Sequence, residues 1–327
     1  MMRVTRFIAA LLFAAVPMLA TGAHAEIPRV VLDQGNPQPI KIAIPDLYAA
    51  SPADAQVGAD VARVVSADLE RSGLFAPIDP KAFIQDTASL QQAPRFNDWK
   101  LINAQALVSG VAQSRGNGQI NVQFRLWDVG GGTQMAGFQY TAASTNWRRV
   151  AHKIADEIYK RITGEDGYFD TRIVYISETG PKDHRVKRLA IMDQDGENHK
   201  YLTDGAVLVL TPRFSPAAQD ITYMSYFNNK PRVYLFNIDS GQQEVLGDFP
   251  GMTFAPRFSP DGGKVIMSQA QGGNSDIYVM DIRTRRSQRL TDSPAIDTSP
   301  CYSPDSSRIV FNSDRGGEQQ LYVMNAD

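Results

Sequence analysis

Cysteine is almost absent. Cys301 stands alone, which excludes an intramolecular disulfide and any zinc or iron–sulfur site built from several thiolates. Histidine is nearly as scarce: His24, His152, His184 and His199 are scattered, and no two share the spacing that lets a helix hold a metal. No excess of positive charge exists either. Thirty-three Lys and Arg against 35 Asp and Glu leave a net charge of −2, which excludes a nucleic-acid binder relying on bulk basic charge. No Gly-x-Ser-x-Gly nucleophile elbow occurs anywhere in the 327 residues. The one long apolar run, Phe7 to Ala20, has 14 residues and contains Pro17, short of the ~20 that a membrane-spanning helix needs.

That run instead follows a basic start, Arg3 and Arg6, and precedes Ala23-His24-Ala25, a small-x-small pattern suited to signal peptidase. Residues 1–25 are therefore expected to be a cleavable signal peptide, cut between Ala25 and Glu26. No lipid-acceptor cysteine sits at the cut. The mature chain is expected to be periplasmic, without a transmembrane segment.

The second half is organised by repetition. Thr211-Pro-Arg-Phe-Ser-Pro216 recurs as Ala255-Pro-Arg-Phe-Ser-Pro260 and as Ser299-Pro-Cys-Tyr-Ser-Pro304, each 44 residues after the last. Strand-like runs ending at Asp193, Asn237, Asp281 and Asn325 keep the same 44-residue interval, as do Leu202, Leu246 and Leu290. One complete unit holds four short β-type runs, Ala255–Phe258, Lys264–Ser268, Asp276–Met280 and Ser287–Leu290. Pro260-Asp-Gly-Gly263 and Gly272-Gly-Asn274 supply turns between them. Four strands in ~40–45 residues is the blade of a β-propeller. Residues 166–327 read as about three and a half blades: the first unit, near Thr171–Ser177, lacks its inner strand, and the last stops after its third. This incompleteness leads us to expect a C-terminally truncated fragment.

Residues 26–165 read as a separate α/β domain. Residues 40–44 form a strand. Ser51-Pro52 with Asp54 then opens a helix whose apolar face is Val57, Val61, Val65 and Leu69, ended by Gly73. A strand near Ala106–Ala112, a hairpin of Gln119–Val129 with Gln134–Thr141, and a helix Trp147–Ile162 complete it, and Gly164–Gly167 reads as the linker. This domain carries 14 basic and 14 acidic side chains, the propeller part 17 and 21. The mildly acidic propeller part favours basic or cationic partner surfaces over polyanions.

No catalytic constellation emerges. Gly130-Gly-Gly132 joins two alternating strands without a following helix or Lys-Ser/Thr, which makes it a hairpin turn rather than a phosphate loop. Asp193-Gln-Asp195-Gly196 resembles the start of a calcium loop but lacks the later ligands, so it reads as a blade turn. Calcium held in the channel by several blades is an option the sequence does not support. Cys301 is expected to be buried and inert, His152 to be a surface residue, and Trp99, Trp127 and Trp147 to pack in the core or at the domain interface. Arg29-Val-Val-Leu-Asp33 precedes a Gly/Asn/Pro-rich break. It is either an edge strand of the α/β domain or a mobile strand that adds to another protein's sheet.

The signal peptide, Arg29-Val-Val-Leu-Asp-x-Gly35, the α/β domain, the Phe169-Asp-Thr-Arg-Ile-Val-Tyr175 junction and the x-Pro-x-[Phe/Tyr]-Ser-Pro blades together resemble the TolB family. TolB proteins are periplasmic components of the Tol–Pal envelope system of Gram-negative bacteria. The resemblance implies a six-bladed propeller, so two further 44-residue repeats are expected downstream. It implies a non-catalytic scaffold, without cofactor, that supports envelope integrity and constriction at cell division. The propeller would bind the peptidoglycan-associated lipoprotein Pal at its channel mouth, and the N-terminal strand Arg29, Val30, Val31, Leu32 and Asp33 would engage TolA. Outer-membrane proteins and bacteriocins are further partners it suggests. Pro28 lacks an N–H and would shorten an augmenting strand. Carried onto the loops Leu208–Thr211, Met252–Ala255 and Ile296–Ser299, the family's Pal contacts fall on Met252, Ala255 and Thr298, with Thr211 weaker; these residues either touch the partner or only shape the loops. The blade motif also occurs in peptidase-associated propellers. The alternative is therefore the substrate-gating module of a prolyl-oligopeptidase-like hydrolase that lacks its catalytic domain.

Overall fold

The computed structural model describes residues 38–247 and 249–327. The chain opens with β1 (Ile40–Ala43), α1 (Pro52–Arg71), β2 (Phe75–Pro77), α2 (Thr87–Leu90) and α3 (Phe96–Leu101). These are followed by β3 (Ala106–Arg115), β4 (Gln119–Asp128), β5 (Thr133–Ala143) and α4 (Trp147–Thr163). The five strands form one sheet in the order β2-β1-β3-β4-β5, with β1 parallel to both neighbours and the β3-β4-β5 meander antiparallel.

Alternation along the strands divides two cores. Ile42, Ala106 and Val108 face α1 and α4, where Val61, Val65, Leu69, Ile154 and Ile158 close the main core. Ala43 and Leu107 face the other way, onto Leu90, Trp99 and Val129. Trp99 is fully enclosed, and its indole N–H donates to Gln85 Oε1 at 3.0 Å. Helix α1 begins where the sequence says: Ser51 Oγ accepts from the backbone N–H of Asp54, with Pro52 in the first turn. Helix α4 stops at Gly164, which adopts φ 81° and lets its N–H reach the Lys160 carbonyl.

Seventeen residues of helix then hand over to a clamped junction, not a loose linker. Asp156 on α4 accepts from the backbone N–H of Phe169 (2.6 Å) and of Asp170 (3.1 Å), and Phe169 is buried in the main core against Tyr159. A Cβ on Gly167 would come within 2.4 Å of the Asp156 Cα, so only glycine permits this approach.

The remainder is radial sheets. β6 (Arg172–Thr179), β7 (Val186–Asp193) and β8 (Lys200–Tyr201) form the first, in three strands. β9 (Val209–Phe214), β10 (Asp220–Ser225), β11 (Arg232–Asn237) and β12 (Gln243–Val245) form a four-stranded second. β13 (Met252–Phe258), β14 (Lys264–Gln271), β15 (Asn274–Asp281) and β16 (Ser287–Arg289) form the third, also four-stranded. β17 (Thr298–Tyr302), β18 (Arg308–Ser313) and β19 (Gln320–Asn325) form the fourth. The second and third blades are covered on both faces, so their strands alternate between neighbours rather than between core and water, whereas Leu321 and Val323 of the fourth blade stay exposed. Val265 and Met267 pack on Val233 and Leu235 of the preceding blade, whereas Ile266 packs on Ile309 and Phe311 of the next. These are propeller blades beside an N-terminal α/β fold.

Candidate functional site

β9, β13 and β17 are each the terminal strand of their sheet, and they touch one another from blade to blade, which makes them the channel side. Every one carries the same irregularity. Phe254 pairs with Ser268 and Arg257 with Ile266, so three steps on β13 oppose two on β14. Leu210 to Arg213 on β9 and Thr298 to Cys301 on β17 repeat the pattern. The extra residue is Thr211, Ala255 or Ser299, with φ of 49°, 50° and 55°, and each precedes a proline that has no N–H to offer the ladder. Non-glycine residues held at positive φ store about 1–3 kcal/mol apiece. Thr211→Gly is therefore expected to raise stability by up to about 1 kcal/mol, glycine's greater unfolded-state freedom offsetting part of the relieved strain. A denaturant midpoint that falls instead would contradict the strain.

The mouth segments are braced both from the neighbouring blade and from their own. Ser299 N–H donates to Ser268 Oγ (3.0 Å), Asp297 N–H to the Ser275 carbonyl (2.7 Å), and Ile296 N–H to Asp314 Oδ1 (2.7 Å). Arg315 holds both carboxylate oxygens of the fully buried Asp297 at 3.0 Å, and Gln269 Nε2 donates to the Pro250 carbonyl at 2.8 Å. On this fixed rim one repeat position is apolar throughout: Leu208, Met252 and Ile296, the first and last about 40% exposed. An apolar arc on rigid backbone suits a protein partner.

Of the residues singled out from the sequence, Thr211, Met252, Ala255 and Thr298 come together on this channel side, but they lie on strands β9, β13 and β17, not on loops. The bulge explains the difference, because it lets the ladder continue past the irregular residue toward the rim. Cys301 is half-buried rather than buried: the channel side of an inner strand has no sheet beyond it, and Sγ lies 3.6 Å from the Tyr302 carbonyl oxygen. Ala25, Glu26 and the strand Arg29, Val30, Val31, Leu32 and Asp33 fall outside the described residues.

His152 overturns its expected exposure. It is 1% exposed, held where α4 meets both α1 and the turn after β7. Nδ1 lies 2.5 Å from Asp68 Oδ2, and Nε2 lies 3.6 Å from Asp195 Oδ2. Burial alone would lower its pKa. The hydrogen bond to Asp68 and the charges of Asp68, Asp195 and Asp193 outweigh burial and raise it. The Asp195 side chain is also covered, which alone would raise its pKa, but Arg148, by two hydrogen bonds of 2.9 and 2.6 Å, and the Glu197 N–H hold its carboxyl below the ordinary range. Gln194 Nε2 and Arg71 Nη1 both reach Asp68 Oδ1 (2.9 and 3.2 Å), and Arg71 also donates to Gln194 Oε1. Asp68, His152 and Asp195 offer three metal-type ligand atoms within 4.8 Å. Their oxygens already accept from arginine, glutamine, imidazole and backbone, so the cluster works as a charged fastener between the α/β fold and the first blade. Asp193-Gln-Asp195-Gly196 is the blade turn expected, and its side chains form half of this fastener.

The family described as TolB beta propeller domain matches residues 159–327, and the TolB amino-terminal domain matches residues 28–135. The Tol-Pal system protein TolB of Paramagnetospirillum magneticum is 63% identical over 225 residues, 69% of this chain and 50% of the relative. The matched chain thus spans about half the length of that relative. The crystal structure of TolB from Acinetobacter baumannii superposes with a TM-score of 0.75 at 30% identity, over 88% of this chain and 69% of that one.

Proposed function

The chain belongs to the TolB family, and on that premise we propose that it is a non-catalytic periplasmic scaffold of a Tol–Pal system, joining outer-membrane Pal to inner-membrane TolA for envelope integrity and cell division. The observation that carries the reading is the braced channel rim. Leu208, Met252 and Ile296 present apolar surface at one repeat position, above backbone that three identical bulges fix in place. Pal would sit on that rim and contact Met252, Ala255 and Thr298, with Thr211 at the periphery. TolA would take the strand Arg29–Asp33 by backbone pairing, with Val30 and Leu32 filling apolar pockets. A scaffold of this kind needs its two domains held together, and the contacts of Asp68, His152, Gln194 and Asp195 join the α/β fold to the first blade.

Calorimetric titration with the periplasmic domain of Pal should give micromolar or tighter binding, and a silent titration would sink the reading. Deleting Glu26–Asp33 should eliminate TolA binding while Pal affinity stays equal or rises. TolA affinity unchanged by the deletion would make that strand an ordinary edge.

A further inference from the structure

The inner strands repeat a second residue, two places beyond the bulge: Arg213 on β9 and Arg257 on β13, with Cys301 following on β17. The two arginines occupy the same rung of consecutive blades, opposite Thr222 and Ile266, and β9 and β13 are in contact. Some half-exposed arginines find carboxylates, as Arg289 does at Asp276 and Arg315 at Asp297, and others settle on neutral oxygens, as Arg172 does at Gln219 and Arg188 at Thr179. Among the described residues, neither Arg213 nor Arg257 has an acidic group within ion-pairing distance. Arg213 Nη1 donates only to the carbonyl of Pro212, at 2.8 Å, and its Nε is buried without any partner. Burial and the neighbouring charge of Arg257 hold the Arg213 pKa below the ordinary guanidinium value.

Two half-buried cations side by side without a counter-ion repel each other, and an unsatisfied buried guanidinium N–H is itself unfavourable. Guanidinium forks fit planar oxyanions through paired hydrogen bonds, and the match strengthens as water is excluded. We propose that Arg213 and Arg257 form an oxyanion receptor in the channel wall, which takes a carboxylate side chain of the protein seated on the rim. This rests on the reading of the rim as the Pal-binding face. The receptor lies immediately inward of the bulges, so a partner covering Leu208, Met252 and Ile296 would close it from water. Among the described inner strands, Cys301 at the third equivalent position leaves the arginine pair on β9 and β13.

The test uses R213Q, R257Q and the double variant of the whole chain. No acidic partner is stripped from either site, so all three should keep the wild-type circular dichroism. Pal affinity should fall about tenfold or more in the double variant, and inorganic phosphate should compete with Pal for the wild type at matched ionic strength. Wild-type affinity in the double variant would overturn the receptor while leaving the rim as a binding face. If the wild type itself fails to bind Pal, the reading of the rim falls, and melting in phosphate against chloride judges the receptor alone. A saturable stabilisation by phosphate that the double variant loses would then support a receptor for free oxyanions, and equal melting would overturn it.

Discussion

Replacing His152 with alanine is expected to destabilise the chain by about 3–5 kcal/mol, the usual consequence of removing one partner from a buried ion pair. Asp68 is fully buried and would keep only Arg71 and Gln194, at 3.2 and 2.9 Å, for its outer oxygen. Its inner oxygen would lose the 2.5 Å bond to Nδ1 and face a cavity. Asp195 would keep Arg148, which points to the lower end of the range. Urea unfolding at neutral pH measures the loss, and a change under 1 kcal/mol would show that the imidazole merely fills space. The same residue sets a pH signature. A folded-state pKa raised above the ordinary value near 6.5 means that the stabilisation is complete below that value and fades as pH climbs through the raised one. Asp195 acts in the opposite sense: its depressed pKa contributes stability above the ordinary carboxylate range, which is lost as pH falls through the depressed value. The fastener is therefore strongest between about pH 4 and 6.5. His152→Ala should abolish the decline on the alkaline side and leave the acid limb in place.

Placing glutamate at Ala255 or Thr298 is expected to abolish Pal binding while leaving circular dichroism unchanged. Both positions lie on the channel side of inner strands, Ala255 at the bulge of β13 and Thr298 at the start of β17, opposite Asn312. A larger side chain at either position can turn toward solvent in the free protein, because Ala255 and Thr298 are both only half-buried. At a partner interface it would remain desolvated and unpaired, worth about 2–5 kcal/mol, which is roughly a 30- to several-thousand-fold loss of affinity. Calorimetry with the Pal domain reads the effect directly. Two variants that bind like the wild type would remove Ala255 and Thr298 from the contact face.

Much of the architecture is visible in the sequence because repetition makes it so. The 44-residue spacing of Pro216, Pro260 and Pro304 locates the inner strands, and Ser51-Pro52 with Asp54 locates the start of α1. Short elements escape: α2 and α3 have four and six residues, too few for a helical period to register. The bulges escape for a different reason. Thr211, Ala255 and Ser299 are not residues that favour positive φ, so only the proline after each hints at a broken ladder. His152 is misread because its neighbours Val150, Ile154 and Ile158 already account for the apolar face of α4. Its burial depends on α1 and on a turn more than forty residues away, a tertiary fact that no local pattern carries.

Amide hydrogen exchange of the whole chain, with and without the Pal domain, tests the central claim most directly. The account predicts new protection concentrated in residues 208–211, 252–255 and 296–299, with the core strands of the α/β sheet unchanged. Protection confined to that sheet, or to the outer strands β12 and β16, would place the partner elsewhere and contradict the channel rim as the binding face.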